Sequence, residues 1–194
     1  MELLAEVLPS NVPVTHGATD VADEQRAHAQ LRELVESDDP SRVQGCVAIV
    51  RQLFNADAAG LHILASPKPP AVPQLEVVCG VPEAHQHIHP SIGTGLAKLC
   101  FSARAPIVLP EQEIELTYLR QLRPRIIHIL MAPIYDEQRQ RLGAIWLAQI
   151  TSKVTYSRAD TLVLGRVTKD LALLLKMRER KLQQVAVEVS SQSR

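Results

Sequence analysis

Residues 125–149 constrain this chain more than any other stretch. They read Arg125-Ile-Ile-His-Ile-Leu-Met-Ala-Pro-Ile-Tyr135, then Asp136-Glu-Gln-Arg-Gln-Arg141, then Leu142-Gly-Ala-Ile-Trp-Leu-Ala-Gln149. Two apolar runs of strand length around a short polar connection predict a β-hairpin. The first run is apolar on both faces apart from His128, as a central strand covered on both sides must be. Pro133 has no N–H for a ladder, so the strand is expected to end or meet an edge there. A sheet centred on this hairpin needs helices to cover it, and the chain carries helical sequence towards both ends.

Residues 1–19 contain Pro9, Asn11, Pro13 and Gly17 with little periodicity and read as a flexible arm. Residues 20–36 are rich in helix formers, with Ala27, Leu31, Leu34 and Val35 in one narrow apolar stripe suited to a helix–helix seam. Asp38-Asp39-Pro40 is a helix-start pattern, and the helix it opens places Val43, Cys46, Val47, Val50, Leu53 and Phe54 on a core face. Asn55 ends it. Strands are expected over 58–65 and 74–81, joined by the proline-rich loop 66–73. A polar stretch, Pro82 to Pro90, carries three alternate histidines. Gly93-Thr-Gly95 turns into a short helix that stops before Pro106, 107–109 is a short strand, and 111–122 reads as an acidic helix. After the hairpin, Ser157-Arg-Ala-Asp160 has capping-box spacing and opens a long helix whose period is set by Leu162, Val163, Arg166, Val167, Asp170, Leu171, Leu174 and Leu175. From Lys176 the helix turns largely polar and outruns the core, and a disordered tail is expected from Ser190.

Composition narrows the function classes. At 194 residues and 46% hydrophobic, the chain can bury one full core. Lys plus Arg and Asp plus Glu balance at 21 each, so no basic field recruits nucleic acid or an anionic membrane. The first residues have no basic region before an apolar stretch, and no apolar run reaches membrane-spanning length, so a soluble cytoplasmic protein is expected. Cys46, Cys79 and Cys100 are an odd, widely spaced set without Cys-x-x-Cys pairs, which suits a reducing compartment.

The order of elements and six of its pieces resemble the GAF domain family. The pieces are Phe54-Asn-Ala-Asp-Ala-Ala-Gly-Leu-His-Ile-Leu64, Ile92-Gly-Thr-Gly-Leu-Ala97, Ala105-Pro-Ile-Val-Leu109, Ile129-Leu-Met-Ala-Pro-Ile134, Arg141-Leu-Gly-Ala-Ile-Trp-Leu147 and Tyr156-Ser-Arg-Ala-Asp-Thr-Leu-Val-Leu164. The resemblance implies an α/β (α+β), GAF/PAS-like domain over 38–177. Its antiparallel sheet of five or six strands would carry the terminal helices on one face and a ligand pocket on the other. It also implies a sensory role, with ligand occupancy passed through the terminal helices, here 20–37 and 178–194. Three sub-family chemistries are not expected. Bilin attachment uses a cysteine usually followed by histidine, whereas Cys46, Cys79 and Cys100 precede Val47, Gly80 and Phe101. Free methionine sulfoxide reductases place a cysteine just after the Gly-x-Gly turn, where this chain has Leu96 or Ala97. The Asn-Lys-x-Phe pattern of cyclic-nucleotide binders is absent.

Candidate site residues divide into two sets. His85, His87 and His89 alternate, so in extended backbone they share one side and could hold Zn²⁺, Ni²⁺ or Cu²⁺ or serve a haem axially; alternatively they are a solvated polar loop. His87, His89, Leu96, Cys100, Tyr118, Leu122, His128, Met131 and Trp146 are the pocket candidates. His128 reads either as a ligand contact or as a hydrogen-bonded core histidine, and Met131 and Trp146 either line a pocket or fill the core. No nucleophile–base pair can be assembled, so a non-enzymatic sensor for an unidentified small molecule is expected. It would act as a homodimer through its terminal helices, with a signalling protein as partner and neither nucleic acid nor membrane involved. The alternative is a dimeric protein-interaction module with a vestigial pocket.

Overall fold

The computed structural model describes residues 20–64, 73–80, 100–110, 126–150 and 155–192. Helices α1 (Val21–Glu36) and α2 (Arg42–Leu53) precede strands β1 (Ala58–Leu64) and β2 (Pro73–Cys79). A helical stretch at 100–103 leads to β3 (Ile107–Pro110), then β4 (His128–Tyr135), β5 (Arg141–Gln149) and the long helix α3 (Arg158–Gln192). The strands form one antiparallel sheet in the order β2-β1-β5-β4-β3. The arm expected over 1–19, the proline-rich loop, the histidine segment, the Gly93-Thr-Gly95 turn and the acidic helix over 111–122 lie outside the described residues.

The hairpin forms where its sequence places it, with β4 and β5 at the middle of the sheet. Pro133 does not end β4, which continues to Tyr135. The reason is in the register: Pro133 lies opposite Ala144 of β5, but β3 pairs only as far as Met131. Beyond Met131, β4 pairs among the described residues with β5 alone, the edge setting in which a missing donor is tolerated.

Helices α2 and α3 cover one face of the sheet, and α1 packs on both of them. Leu31 and Val35 of α1 join Val47 and Val50 of α2, Leu164, Val167, Leu171 and Leu174 of α3, and the inward residues of the sheet in one buried cluster. The apolar stripe of the first helix is thus a helix–helix seam, as its spacing predicts, closed within the chain against α2 and α3. Leu34 of α1 presses against Gly45 of α2, where a Cβ would stand 2.9 Å from Leu34 Cδ1, so the glycine sets how closely the helices approach.

Local signals set the helix ends. Asp20 accepts from Ala22 N at 3.2 Å at the start of α1. Asn55 adopts a left-handed φ of 45° just past α2, as asparagine can. Before α3, Ser157 N donates to Asp160 Oδ2 at 2.6 Å and Asp160 N donates to Ser157 Oγ at 3.3 Å, the reciprocal pair a capping box requires. Three details differ from expectation. Asp39 uses its carboxylate to accept from Ser41 N at 2.7 Å, so α2 starts after Pro40 and not at it. Leu162 is 59% exposed while Leu164 is buried, a shift in the helix face of one side chain. Finally, α3 runs to Gln192, past the expected end at Ser190, since extending an existing helix fixes one residue per added hydrogen bond.

Polar side chains fix α1 on α3. Arg166 donates through Nε and Nη2 to the two carboxylate oxygens of Glu24, the second at 2.8 Å. One turn further along α1, His28 pairs with Asp170, and Arg32 approaches the same carboxylate at 3.7 Å. The Arg166 hydrogen bonds hold the Glu24 carboxyl below its ordinary 4.5, against the upward push of burial. Among the described residues, no helix is long and apolar enough to cross a membrane.

Two outcomes follow for stability. Leu130→Ala, at a fully buried position, should destabilise the protein by about 2–5 kcal/mol in urea unfolding, whereas Leu173→Ala, 50% exposed, should stay within about 0.5 kcal/mol. For Glu24, the lowered folded-state pKa means its stabilisation is whole above the ordinary value and is lost as pH falls through the folded one. The stability gap between the wild type and Glu24→Gln should therefore be largest near neutrality and close on acidification below 4.5, read by unfolding at several pH values.

Candidate functional site

Side chains alternate along a strand, so register decides which face each one joins. Leu61, Leu130, Ala132, Ile145 and Leu147 belong to the helix-covered face. Their neighbours in sequence build a second buried cluster on the opposite face, where Ile129, Met131 and Trp146 meet Cys100, Phe101 and Leu109. The middle of that face is made of small residues: Ala58 lies opposite Ala148, Gly60 opposite Trp146, and His62 opposite Ala144.

Trp146 lies over Gly60, where a Cβ would come within 2.3 Å of the indole carbons Cε2 and Cζ2. Only glycine allows this seat. From it, indole Nε1–H donates to His62 Nε2 at 3.2 Å. The indole nitrogen is a donor only, so His62 Nε2 must be the acceptor, which makes the ring neutral with its proton on Nδ1. Burial favours the same neutral form and pushes the His62 pKa from 6.5 down to about 4. His62 is fully buried, and its Nδ1 has no hydrogen-bond partner among the described residues. At one edge of the cluster Phe101 meets Tyr135 edge-on at 6.4 Å between centroids, and Arg141 stands 5.3 Å over the Phe101 ring.

The structure brings three of the pocket candidates together, namely Cys100, Met131 and Trp146. It separates His128 from them. His128 pairs with Gln149 and has the same strand parity as Leu130 and Ala132, so it belongs to the helix-covered face and not to this site. His85, His87, His89, Leu96, Tyr118 and Leu122 lie outside the described residues. Among the described residues no three His, Cys, Asp or Glu gather as a metal site. The residue that sequence reasoning missed is His62. Its signal, a lone histidine in the apolar run Gly60-Leu-His-Ile-Leu64, is the same as that of His128, and only strand pairing places the two on opposite faces.

The sheet order, the helices on one face and the second cluster on the other describe a known architecture. The GAF domain profile matches residues 41–175, more than half of the chain. The chain belongs to the GAF domain family. Solved GAF domains share its fold. That of an Acinetobacter phosphoenolpyruvate-protein phosphotransferase has a TM-score of 0.64 at 14% identity, over 83% of this chain and 96% of that one. The phycoerythrobilin-bound GAF domain of a cyanobacterial phytochrome has a TM-score of 0.56 at 13% identity, over 79% of this chain and 92% of that one. The free methionine-R-sulfoxide reductase of Neisseria meningitidis, in complex with its substrate, has a TM-score of 0.58 at 11% identity, over 81% of this chain and 93% of that one. No curated protein matches the sequence significantly.

In this GAF domain the neutral His62 makes stability depend on pH in a defined window. Below 6.5 the unfolded chain takes up a proton at this histidine that the folded one refuses until about 4. Stability should therefore fall on acidification across that window, by about 3 kcal/mol in total from this residue. His62→Leu should remove that part of the slope, measured as the difference between the two proteins' unfolding free energies at pH 7 and pH 4.

Proposed function

We propose that this protein is a sensory GAF domain that binds a small molecule on the sheet face away from its helices and passes occupancy through α3. The observation that carries the reading is the makeup of that face: an apolar cluster with a small-residue floor at Ala58, Gly60, Ala144 and Ala148, and one buried polar pair, His62 with Trp146. Ligand sites are mainly apolar with a few placed polar groups, and this face has that composition.

Strand β4 supplies the route outward. Ile129 and Met131 belong to the proposed ligand face, while Leu130, Ala132 and Ile134, between and beyond them, pack in the cluster that α3 joins. Because packed interiors transmit strain, a displacement at Met131 reaches α3 through adjacent residues of one strand. The receiver is a second copy or a signalling partner on α3, where Leu162 and Leu173 are 59% and 50% exposed and lie about three turns apart on one side of the helix.

The proposed role is non-enzymatic. A sulfoxide reductase needs a cysteine that attacks as thiolate, and burial pushes the Cys100 thiol up to about 12 and the Cys46 thiol to about 11. Burial raises the half-buried Cys79 thiol as well, so none of the three is prepared for attack, and for the same reason a covalently held bilin is not proposed. A second reading, an interaction module whose pocket has closed, draws support from Met131 being fully buried and from Trp146 occupying the space over Gly60.

Native mass spectrometry of the purified protein, followed by the same sample denatured with its metal content determined, separates the two readings. Sensing predicts a mass excess lost on denaturation, or a thermal shift with members of a metabolite panel. A dimer with no extra mass, no metal and no thermal shift would favour the interaction module.

A further inference from the structure

We infer that the small molecule recognised on this face is an uncharged, largely apolar compound that places a carbonyl-type acceptor on His62 Nδ1–H. The inference rests on the ligand-binding reading above and deepens it. Its first step is the tautomer. The indole Nε1–H of Trp146 donates to His62 Nε2 at 3.2 Å, which leaves the imidazole proton on Nδ1. That N–H is then a donor in a fully buried residue, with no acceptor among the described residues.

The second step is the cost of such a donor. Burying an unpaired N–H is unfavourable by about 1–3 kcal/mol, and a partner that accepts from it recovers this. Leu61 and Ile63, on either side in sequence, pack with the helix cluster, so the strand itself fits apolar residues. The polar group is confined to the ligand face.

The third step selects the kind of acceptor. The residues that share this face with His62 are apolar, Ile129, Met131 and Trp146 among them, and Arg141 stands over the Phe101 ring. A carboxylate placed on His62 would lose its hydration and gain no positive charge from an imidazole that resists protonation. A neutral carbonyl, as in a ketone, amide or lactam, loses far less and still accepts from Nδ1–H. The flat indole over Gly60 and the small residues Ala144 and Ala148 suit a planar body attached to that carbonyl.

The test begins without ligand. Long-range ¹⁵N–¹H correlation spectra of the full-length protein, labelled at histidine, read which His62 ring nitrogen carries the proton at pH 7. Protonation at Nδ1 is expected, and protonation at Nε2 would overturn the inference. The second stage uses acetophenone and its hydrocarbon isostere α-methylstyrene, which differ by C=O against C=CH₂. In the wild type, acetophenone should shift the Trp146 indole and Met131 methyl resonances and move the Nδ1 proton downfield. The preference for acetophenone over α-methylstyrene should drop by about two- to tenfold in His62→Phe, the range one neutral hydrogen bond supplies. Trp146→Phe gives the same comparison if His62→Phe does not fold, because without the indole donor the tautomer is no longer held and the preference should again fall. Binding of both probes with an unchanged ratio in the variants would overturn the acceptor inference while leaving a ligand site. If neither probe moves the Trp146 or Met131 resonances at millimolar concentration, the inference is overturned, while the native mass measurement decides the ligand-binding reading separately.

Discussion

The pairing of β4 with β5 is the constraint on which the structure depends. Leu130, Met131 and Ala132 are consecutive and all fully buried, which an alternating strand achieves only if both of its faces are covered. One cover is the helix layer. The other is the cluster around Trp146, and without it Met131 and Ile129 would face water. The fold is therefore a three-layer problem whose central layer is hydrophobic on both sides, and each outer layer answers a need that the hairpin sequence creates.

The helix layer is joined by two kinds of contact with different roles. Apolar burial at Leu31, Val35, Leu171 and Leu174 supplies the attraction, which is strong but indifferent to small rotations. The pairs Glu24–Arg166 and His28–Asp170 add orientation. Arg166 is half exposed, so its pair with Glu24 is screened and contributes modestly to stability. What it supplies is register, because two-point contact between a guanidinium and a carboxylate is satisfied at one setting of α1 against α3.

Local patterns in this sequence were legible because their causes are local. The hairpin follows from two apolar runs and a polar turn, the start of α3 from Ser157 and Asp160, and the end of α2 from Asn55. Six short pieces in the right order were enough to name the family. The site was legible only in part. Met131 and Trp146 share a buried cluster because apolar residues of central strands lie near the core, and Cys100 joins them from the helical stretch at 100–103. His128 and His62 could not be told apart, since each is a lone histidine in an apolar strand and only the pairing of β1, β4 and β5 assigns them to opposite faces. The exposure of Leu162 has the same origin: the angular position of a helix on a sheet is set by partners remote in sequence. The stripe at 20–36 is legible as a helix–helix seam, but which helices receive it, α2 and α3, is set by partners remote in sequence.

The second layer is where local and global preferences disagree. Every requirement of β1 at position 62 could be met by a leucine: the strand is apolar, the position fully buried, and the neighbouring residues across the sheet are Leu75 and Ala144. Histidine there brings a donor and an acceptor into a dry interior. Trp146 answers the acceptor, and it can do so only because Gly60, which weakens a strand, leaves space for the indole. Two unfavourable choices, a glycine in a central strand and a histidine in a core, thus depend on each other through one hydrogen bond. Local rules broken together in this way are expected at functional or strained sites, and both residues lie on the face proposed to bind a ligand. Among the described residues the pair leaves His62 Nδ1 buried without a hydrogen-bond partner, on the face away from the helices.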